Sequence, residues 1–410
     1  MENIEMWQGL SCGGITAVPG FRVSGVHCGI RKNKGKKDLA LIVADKMCSA
    51  AAVYTTNKVK SAPLVLTMEH LKNGQARAIL ANSGNANACA PGGIEAAKEM
   101  VDAAAKELGI EATDIIVNST GVIGVQLPID AIVSGVPQLV KSLSRDNNPA
   151  AEAIMTTDTF QKSWAAKFEL DGKTVTIGGI AKGSGMIHPN MATMLSFLAT
   201  DCAISPEMLQ KALKDSAAIS YNQVSVDGDT STNDMCAILA SGTAGNSQIE
   251  TENEDYKKFL AALNEINLKL AKDIARDGEG ATKLLICRVS GAASTEDAAR
   301  LSKSVIRSSL VKSAMFGADA NWGRVLCALG YGGATFDPSR VDISFSSLVG
   351  EIPVCKQSTG LAFDEEIAKN VLSEKEITIE VNLSDGNHNA EAYGCDLTYD
   401  YVRINGDYRT

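Results

Sequence analysis

An Asp-Gly dipeptide at residues 171–172 is the feature that most restricts the fold of this chain. It separates two strand-like arms, SWAAKFEL before it and KTVTIGGIAK after it. Asp-Gly suits the type I′ turn of a β-hairpin, because both central residues of that turn need a positive φ. A hairpin excludes a purely parallel sheet, so we expect mixed or antiparallel sheets.

Strand-like and helix-like segments alternate around this hairpin. Apolar runs that end in turn residues predict strands over 39–45, 76–84, 114–121 and 194–204. Helical spacing predicts helices over 93–110, 128–143, 205–220, 255–275 and 295–315. The pattern predicts an α/β protein in which helices cover mixed or antiparallel sheets.

Local signals refine some of these segments. Pro137 should bend or split the helix over 128–143. Ser205 and Pro206 suit the N-cap and the first position of the next helix. The last hundred residues are predicted to be mostly strands, with YVRINGDYRT at 401–410 as a strand and a short polar tail.

Composition narrows the class of protein. With 410 residues and 45% hydrophobic content, the chain can bury one large core or two packed lobes. A net charge of -9 argues against a nucleic-acid partner, and we interpret the basic run RKNKGKKD at 31–38 as a solvated turn. The sequence has neither a secretory signal pattern nor an apolar stretch of about 18 residues, which a membrane helix needs.

The cysteines and histidines indicate neither disulfides nor a metal site. The 10 cysteines include no CxxC pair and stand in apolar contexts, as do Cys287 and Cys327. We therefore expect buried free thiols in a reducing compartment, a cytoplasmic location and no metal.

The run GSGMIHPNMATML at 183–195 presents one hydroxyl residue, Thr193, after a stiff glycine-rich turn. On a strained turn, this hydroxyl can attack the carbonyl of Ala192 in an N-to-O acyl shift. Hydrolysis of the ester would free an N-terminal threonine, whose α-amine can act as general base for its own hydroxyl. Such a site needs no histidine.

Two other interpretations of this run remain open on the residues alone. Thr193 can be a helix N-cap or the first residue of a strand, with the glycines serving only to turn the chain. AKGSGM can cradle a phosphate, although it lacks the GxxxxGK[ST] order of a P-loop.

The run KGSGMIHPNMATML resembles the processing site of the ornithine acetyltransferase family, also called glutamate N-acetyltransferases. Further segments resemble the same family from end to end of the chain and in the family's order. They are ANSGNANACAPGG (81–93), NSTGVIG (118–124), MTTDT (155–159), DGDTSTND (227–234), ARDGEGATK (275–283), GADANWGR (317–324) and YVRINGDYRT (401–410).

The resemblance implies a self-cleaving enzyme of arginine biosynthesis that moves an acetyl group from N2-acetylornithine to glutamate. It implies a two-lobed αββα sandwich, shared with self-processing aminopeptidases, and no cofactor, with acetyl-CoA as a possible further substrate. Cleavage between Ala192 and Thr193 would give an α chain of residues 1–192 and a β chain of residues 193–410. We expect two copies of each chain in a heterotetramer.

The resemblance also implies roles for individual residues. Thr193 matches the nucleophile, and Thr120 and Gly121 match the oxyanion hole. The substrate-binding positions of the family match Thr156, Lys182, Thr193, Glu279, Asn405 and Thr410, although Thr157 or Thr159 could take the part of Thr156.

Two further features are interpreted without a catalytic role. His188, beside Pro189, is interpreted as structural. DGDTSTND lacks the glycine and distal glutamate of a calcium loop, so we expect no calcium there.

Two rival functions use the same residues. The nucleophile could serve a hydrolase, in which water takes the acyl group instead of glutamate. An unprocessed ligand-binding protein with a phosphate loop would show no cleavage.

Overall fold

The computed structural model describes residues 4–9, 13–188 and 194–407. The helices of this part of the chain are α1 (Ala62–His70), α2 (Gly93–Leu108), α3 (Ile129–Lys141), α4 (Asn148–Ala153), α5 (Pro206–Ile219), α6 (Glu254–Arg276), α7 (Thr295–Arg307), α8 (Ser309–Phe316), α9 (Trp322–Gly330), α10 (Glu365–Leu372) and α11 (Tyr399–Asp407).

The strands form a nine-stranded and a seven-stranded sheet. They are β1 (Glu5–Gln8), β2 (Phe21–Val26), β3 (Leu39–Tyr54), β4 (Gln75–Asn85), β5 (Ile115–Val122), β6 (Lys162–Leu170), β7 (Lys173–Lys182), β8 (Leu195–Thr200), β9 (Val224–Ser225), β10 (Met235–Ala240), β11 (Leu284–Ala292), β12 (Asp342–Ser347), β13 (Gly350–Lys356), β14 (Thr359–Gly360), β15 (Glu376–Asn382) and β16 (His388–Cys395).

The nine-stranded sheet folds over on itself along β3. Its order is β1-β6-β7-β8-β10-β3-β4-β5, and β2 also pairs with β3. The first half of β3 pairs with β2 and β4, its second half pairs with β10, and the register to β4 shifts between Val43 and Cys48. Side chains of both halves meet in one buried cluster that includes Phe21, Ile79 and Phe197.

Helices cover the two outer faces of this folded sheet. One outer face, with Leu41 and Leu80, packs in a cluster with Met100 of α2 and Ile132 of α3. The other outer face packs against α5 and α6 in a cluster that includes Phe259. The order helix, sheet, sheet, helix is the αββα sandwich that the sequence predicts, and mixed sheets covered by helices are confirmed.

The seven-stranded sheet forms the second lobe, with the order β14-β13-β12-β15-β11-β16-β9. One face contributes Leu284 and Tyr393 to the core around α6, and the other packs against α7, α8, α9 and α10. The helix α6 therefore lies between the two lobes and joins their cores.

Most predicted elements are confirmed. Asp171 and Gly172 have φ of +50° and +66°, as the predicted turn between β6 and β7 requires. The Ser205 side chain accepts a hydrogen bond from the backbone N–H of Met208, which makes it the predicted cap of α5. The helix α3 continues through Pro137, so the expectation that this proline splits the helix is wrong.

Two predicted elements are wrong. The helix over 295–315 is divided, because Ser308 has extended backbone angles and its side chain caps α8 by accepting from Val311. The chain end is the helix α11 instead of a strand, and the Thr398 hydroxyl accepts from the backbone N–H of Tyr401 at its start. The β-branched and aromatic residues of this segment suggested a strand, but the local cap at Thr398 favours a helix.

The cysteine prediction is confirmed in part. The cysteines of the described residues are free, and most of them are buried, but Cys89 and Cys327 are exposed. Cys327 lies on the outer side of the short helix α9, so its apolar sequence neighbours did not imply burial. Among residues 4–9, 13–188 and 194–407, no helix has the length and apolar character that a membrane crossing requires.

Candidate active site

A cavity of about 130 Å³ brings together predicted site residues from distant parts of the sequence. Met194 and Leu195, which directly follow Thr193, line the same cavity. Thr193 and Ala192, with the predicted cleavage site between them, lie outside the described residues, as does Thr410. The predicted residues in its lining are Thr120, Gly121, Thr156, Thr157, Lys182, Glu279 and Asn405.

Thr120 and Gly121 lie at the end of β5. Thr120 is 8% exposed. Gly121 has a φ of +136°, and a Cβ at this position would lie 2.3 Å from the carbonyl carbon of Gly84. A glycine is therefore required here for both conformation and close approach.

Asn233 fixes the backbone that leads into this pair. Its side-chain amide donates to the carbonyl oxygens of Ser119 (2.7 Å) and Ala86 (2.6 Å). Asn118 in turn donates to the carbonyl of Asn233 (3.1 Å). These buried bonds hold the end of β5 against the segment before β10, so the Ser119–Thr120 peptide has a fixed orientation.

Asp158 organises the loop that carries Thr156. Its carboxylate accepts from the backbone N–H of Thr156 (2.9 Å) and of Gly183 (2.7 Å). Thr156 and Thr157 line the cavity, whereas Thr159 does not, because its hydroxyl donates to the carboxylate of Asp277. The geometry leaves Thr156 and Thr157 as the two candidates for contact with a substrate.

Lys162 is a buried cation between two buried carboxylates. Its ammonium lies 2.7 Å from Asp158 and 2.5 Å from Asp277. Burial opposes ionisation of Asp158, but the charges of Lys162 and Lys182 outweigh it and hold the pKa of this carboxyl below its usual range. Burial also opposes the charged form of Lys162, but the carboxylates of Asp158 and Asp277 outweigh this effect and raise the pKa of Lys162. The triad is therefore charged and rigid.

Lys182 and Asp234 place an amine and a carboxyl group in the cavity wall. Burial lowers the pKa of the Lys182 ammonium, although the carboxylates of Asp158 and Asp234 raise it. Burial raises the pKa of Asp234 well above its usual range. Within the described residues, the Asp234 Oδ2 is buried without a hydrogen-bond partner. A polar ligand in the cavity could satisfy both groups.

Glu279 faces the cavity from the segment after α6. Its carboxylate accepts from the side-chain amide of Asn405 (2.7 Å), which lies on α11. A Cβ on Gly185 would lie 2.3 Å from the carboxyl carbon of Glu279, so the glycine is needed for this approach. The helix α11 therefore brings Asn405 to the site, as the resemblance implies, although a strand and a polar tail had been predicted for this segment.

The glycine-rich turn is anchored along residues 183–188. The Ser184 hydroxyl donates to the carbonyl of Asp277 (2.7 Å), and the Asp227 carboxylate accepts from the backbone N–H of Met186 (2.6 Å) and Ile187 (2.9 Å). His188 pairs with the Ser225 hydroxyl (3.0 Å). The segment that leads to Thr193 is thus held up to its last described residue.

His188 has no contact with the cavity of Thr120 and Lys182 in the described part of the chain. Burial, followed by the charges of Lys303 and Arg307, lowers the pKa of His188 to about 4. The imidazole is therefore neutral near pH 7. This environment agrees with the structural interpretation of His188 and gives no support to a Ser-His-Asp type of arrangement.

Sequence reasoning missed four polar residues of the site: Asp158, Asn233, Asp234 and Asp277. All four lie inside segments that had been quoted for the family resemblance. DGDTSTND gave no site residue from the sequence, yet its last four residues line the cavity. The sequence feature that could have identified these four residues is the high number of acidic and amide side chains next to the predicted site residues.

No group of three His, Cys, Asp or Glu side chains that could hold a metal ion occurs within the described ranges. Asp158 and Asp277 are bonded to Lys162, and Asp227 accepts from backbone N–H groups.

Comparison with known proteins gives one consistent result. A family model described as the ArgJ family matches residues 22–410. The chain is 54% identical over 398 residues to the arginine biosynthesis bifunctional protein ArgJ 1 of Clostridium acetobutylicum, and the match covers 97% of each chain. It is 50% identical to the ArgJ protein of Thermotoga neapolitana, with 95% of this chain and 99% of that protein covered.

A solved relative agrees with these matches. The crystal structure of the ArgJ protein of Bacillus halodurans has a TM-score of 0.50 and 47% identity, and covers 53% of this chain and 100% of the solved chain. With a family model that spans nearly the whole sequence and relatives at about half identity, the chain belongs to the ArgJ family of arginine-biosynthesis enzymes.

Proposed function

We propose that this enzyme transfers an acetyl group from N2-acetylornithine to L-glutamate and carries it as an ester on Thr193. The observation that supports this most strongly is the shared cavity. It joins the Thr120–Gly121 pair, one buried lysine and two buried carboxyl residues beside Met194, the residue after the proposed nucleophile.

Self-cleavage prepares the nucleophile. The Thr193 hydroxyl attacks the carbonyl carbon of Ala192, and Thr120 and Gly121 donate to the oxyanion. The C–N bond then breaks, the hydroxyl proton passes to the departing nitrogen, and an ester joins Ala192 to the Thr193 oxygen while the α-amine of Thr193 becomes free. Water hydrolyses this ester, which releases the carboxylate of Ala192 and regenerates the Thr193 hydroxyl.

Acetyl transfer follows in two half-reactions. The Thr193 α-amine accepts the proton of the Thr193 hydroxyl as this oxygen attacks the acetyl carbonyl, and the proton passes to the leaving α-amine of ornithine. The α-amine of glutamate next attacks the acetyl ester, loses a proton to the same base and regenerates the threonine hydroxyl. Both tetrahedral intermediates use the same oxyanion hole.

Charge complementarity supports these substrates. Lys182 is 7% exposed and suits the α-carboxylate that both amino acids share. Glu279 is 8% exposed and suits the side-chain ammonium of ornithine. Thr156, Asn405 and Thr410 complete the proposed contacts.

Both proposed fragments belong to one sheet. The strand β8 pairs with β7 on one side and with β10 on the other, with Lys182 opposite Leu195. A cut before Thr193 therefore leaves the 192-residue and 218-residue fragments interleaved. The solved B. halodurans chain is matched over its full length and covers 53% of this chain. The proposed fragment of 218 residues makes up the same share of the 410 residues.

We further propose a heterotetramer of two fragments of each kind and a cytoplasmic location.

A further cavity supports acetyl-CoA as a second acetyl donor. It measures about 400 Å³ and shares Thr156 and Thr157 with the active-site cavity. Its other lining residues include Ile30 and, from the basic run, Lys32 and Lys36, in a chain whose net charge is -9. The apolar wall suits the arm of acetyl-CoA that carries the thioester. The exposed lysines suit the phosphates at the other end of this arm.

One assay tests the acetyl transfer. The enzyme is incubated with N2-acetylornithine, with and without glutamate, while ornithine release and the mass of the peptide that begins at Thr193 are followed. We expect one added acetyl group without glutamate, and parallel double-reciprocal plots when glutamate is varied. Equal ornithine turnover without glutamate would instead indicate a hydrolase, and intersecting plots without an acetyl-enzyme would indicate direct transfer.

A second assay tests acetyl-CoA as the donor. In the Lys32→Gln/Lys36→Gln variant, we expect the KM for acetyl-CoA to rise about tenfold, because two phosphate contacts are lost. The KM for acetyl N-acetylcysteamine thioester, which has no phosphates, should not change. The exposed pair Lys356→Gln/Lys369→Gln removes the same charge elsewhere and is the control. No acetyl-CoA turnover by the wild-type enzyme would contradict this second activity alone.

A further inference from the structure

A cavity of about 570 Å³ lies between α7, the start of α8 and His188. Arg300, Lys303 and Arg307 of α7 line it. Their spacing of three and four residues places them on one face of the helix. The acetyl-transfer scheme uses none of these residues.

The start of α8 adds to the positive character of this cavity. Ser308 and Ser309 line it. Ser308 caps α8, a helix of eight residues, by accepting from the backbone N–H of Val311 (3.4 Å). A helix N-terminus carries a partial positive charge and free backbone N–H donors, both of which favour an anion.

The cationic side chains act on one another across the cavity. Burial, followed by the charge of Arg307, lowers the pKa of Lys303 to about 7. Lys303 also donates to the carbonyl of Asn222 (2.6 Å), which holds its ammonium in place. A dianion bound between these groups would offset their mutual repulsion.

One acidic side chain pairs with a cation of this cavity, and another nearby acid is bonded outside it. Arg300 pairs with Glu296 (3.0 Å), whose side chain is 81% exposed at the rim. The backbone of Gly228 approaches Arg307, but the carboxylate of the adjacent Asp227 accepts from backbone N–H groups of the glycine-rich turn. Among the residues that the structure describes, no carboxylate forms an ion pair with Arg307.

We infer that this cavity binds a phosphate-class anion, either inorganic phosphate or the phosphate group of a small metabolite. Arginine is suited to this because its planar donors match phosphate oxygens in pairs. His188 ends the described part of the glycine-rich turn, so the ligand would also contact the segment that leads to Thr193.

Calorimetric titration of the processed enzyme tests the inference. The probes are inorganic phosphate and glycerol 3-phosphate, each at the ionic strength of a sodium chloride blank. The Arg300→Gln/Arg307→Gln variant should bind both probes at least about tenfold more weakly than wild type, because charge-assisted hydrogen bonds are lost. Arg22→Gln/Arg340→Gln removes the same charge from exposed positions and should bind as wild type does.

The two probes distinguish the sources, because a metabolite site should prefer the monoester and a free-phosphate site should not. Acetyl transfer by the Arg300→Gln/Arg307→Gln variant should remain normal, which separates this site from the proposed function. The inference is overturned if this variant and wild type bind phosphate equally. It is also overturned if wild type shows no binding beyond the chloride blank at about 10 mM phosphate, where such a site should be near saturation.

Discussion

The glycine-rich turn and the chain-end helix both contribute to one cavity, but they are held in very different ways. Between residues 183 and 188, the carboxylates of Asp158 and Asp227 and the hydroxyl of Ser184 anchor the turn. The helix α11 has no buried residue, and its contacts to the site region include those of Asn405 and of Thr398, the residue before the helix. Buried hydrogen bonds thus fix the turn, whereas α11 lies on the surface.

This difference indicates a division of labour. An acyl shift at Thr193 needs a peptide held close to the attacking hydroxyl, which requires a fixed turn. A contact to substrate can be made by a segment that adjusts when the ligand arrives. We therefore expect changes near the turn to affect stability, self-cleavage or transfer, and changes in α11 to affect transfer alone.

The largest effect is expected for Lys162→Met. This change leaves the carboxylates of Asp158 and Asp277 buried without their shared ammonium, which typically costs about 3–5 kcal/mol. Urea unfolding should show this loss in the free energy of unfolding. Lys167→Met, at an exposed position of the same strand, should change it by less than about 0.5 kcal/mol. Equal free energies of unfolding for the two variants would contradict the claim that these buried ion pairs hold the start of the glycine-rich turn.

Thr120→Ala should slow self-cleavage and acetyl transfer together, each by about 100- to 1000-fold, because both reactions pass through an oxyanion. The two rates are measured by intact mass and by ornithine release. Thr120→Ser keeps the hydroxyl and should retain most of both activities. If Thr120→Ala transfers acetyl at the normal rate, Thr120 does not belong to the oxyanion hole.

Gly185→Ala tests the contact between the turn and Glu279. The new Cβ would lie 2.3 Å from the Glu279 carboxyl carbon, so this carboxylate must move. We expect the KM for acetylornithine to rise about tenfold, as for one lost charge-assisted contact. Gly330→Ala adds a methyl group where no atom lies within 4 Å and should have no effect on kinetics. An unchanged KM in Gly185→Ala would remove Glu279 from substrate binding.

The smallest effect is expected for Asn405→Ala. It removes the 2.7 Å hydrogen bond to Glu279 from a partly exposed position, which is worth about 1 kcal/mol, or about fivefold in KM. Self-cleavage should keep its wild-type rate.

Deletion of residues 406–410 should also leave self-cleavage unchanged, while it raises the KM further or abolishes transfer. Slower cleavage in either variant would contradict the proposed division of labour.

The sequence predicts the architecture where local signals and long-range packing agree. The Asp171–Gly172 turn, the Ser205 cap and the alternating apolar runs all lie in the predicted elements. The end of the chain differs because its tyrosines, valine and isoleucine favour a strand locally, while the hydroxyl of Thr398 and the approach of Gly280 to Tyr401 place a helix there.

The site was predictable only as far as the family resemblance reached. The resemblance placed Thr120, Lys182, Glu279 and Asn405, and the structure brings these four residues to one cavity. The pairing of Lys162 with Asp277 was not predictable, because it joins residues 115 positions apart and follows no local periodicity. The folded-over sheet is equally long-range, since β3 alone connects its two halves.

Intact-mass analysis of the purified protein over time tests the central claim most directly. We predict that the 43.1 kDa chain separates under denaturing conditions into fragments of 192 and 218 residues, the second beginning at Thr193, and that Thr193→Ala remains one inactive chain. A wild-type protein that stays uncut after prolonged incubation, yet transfers acetyl at its full rate, would contradict the account.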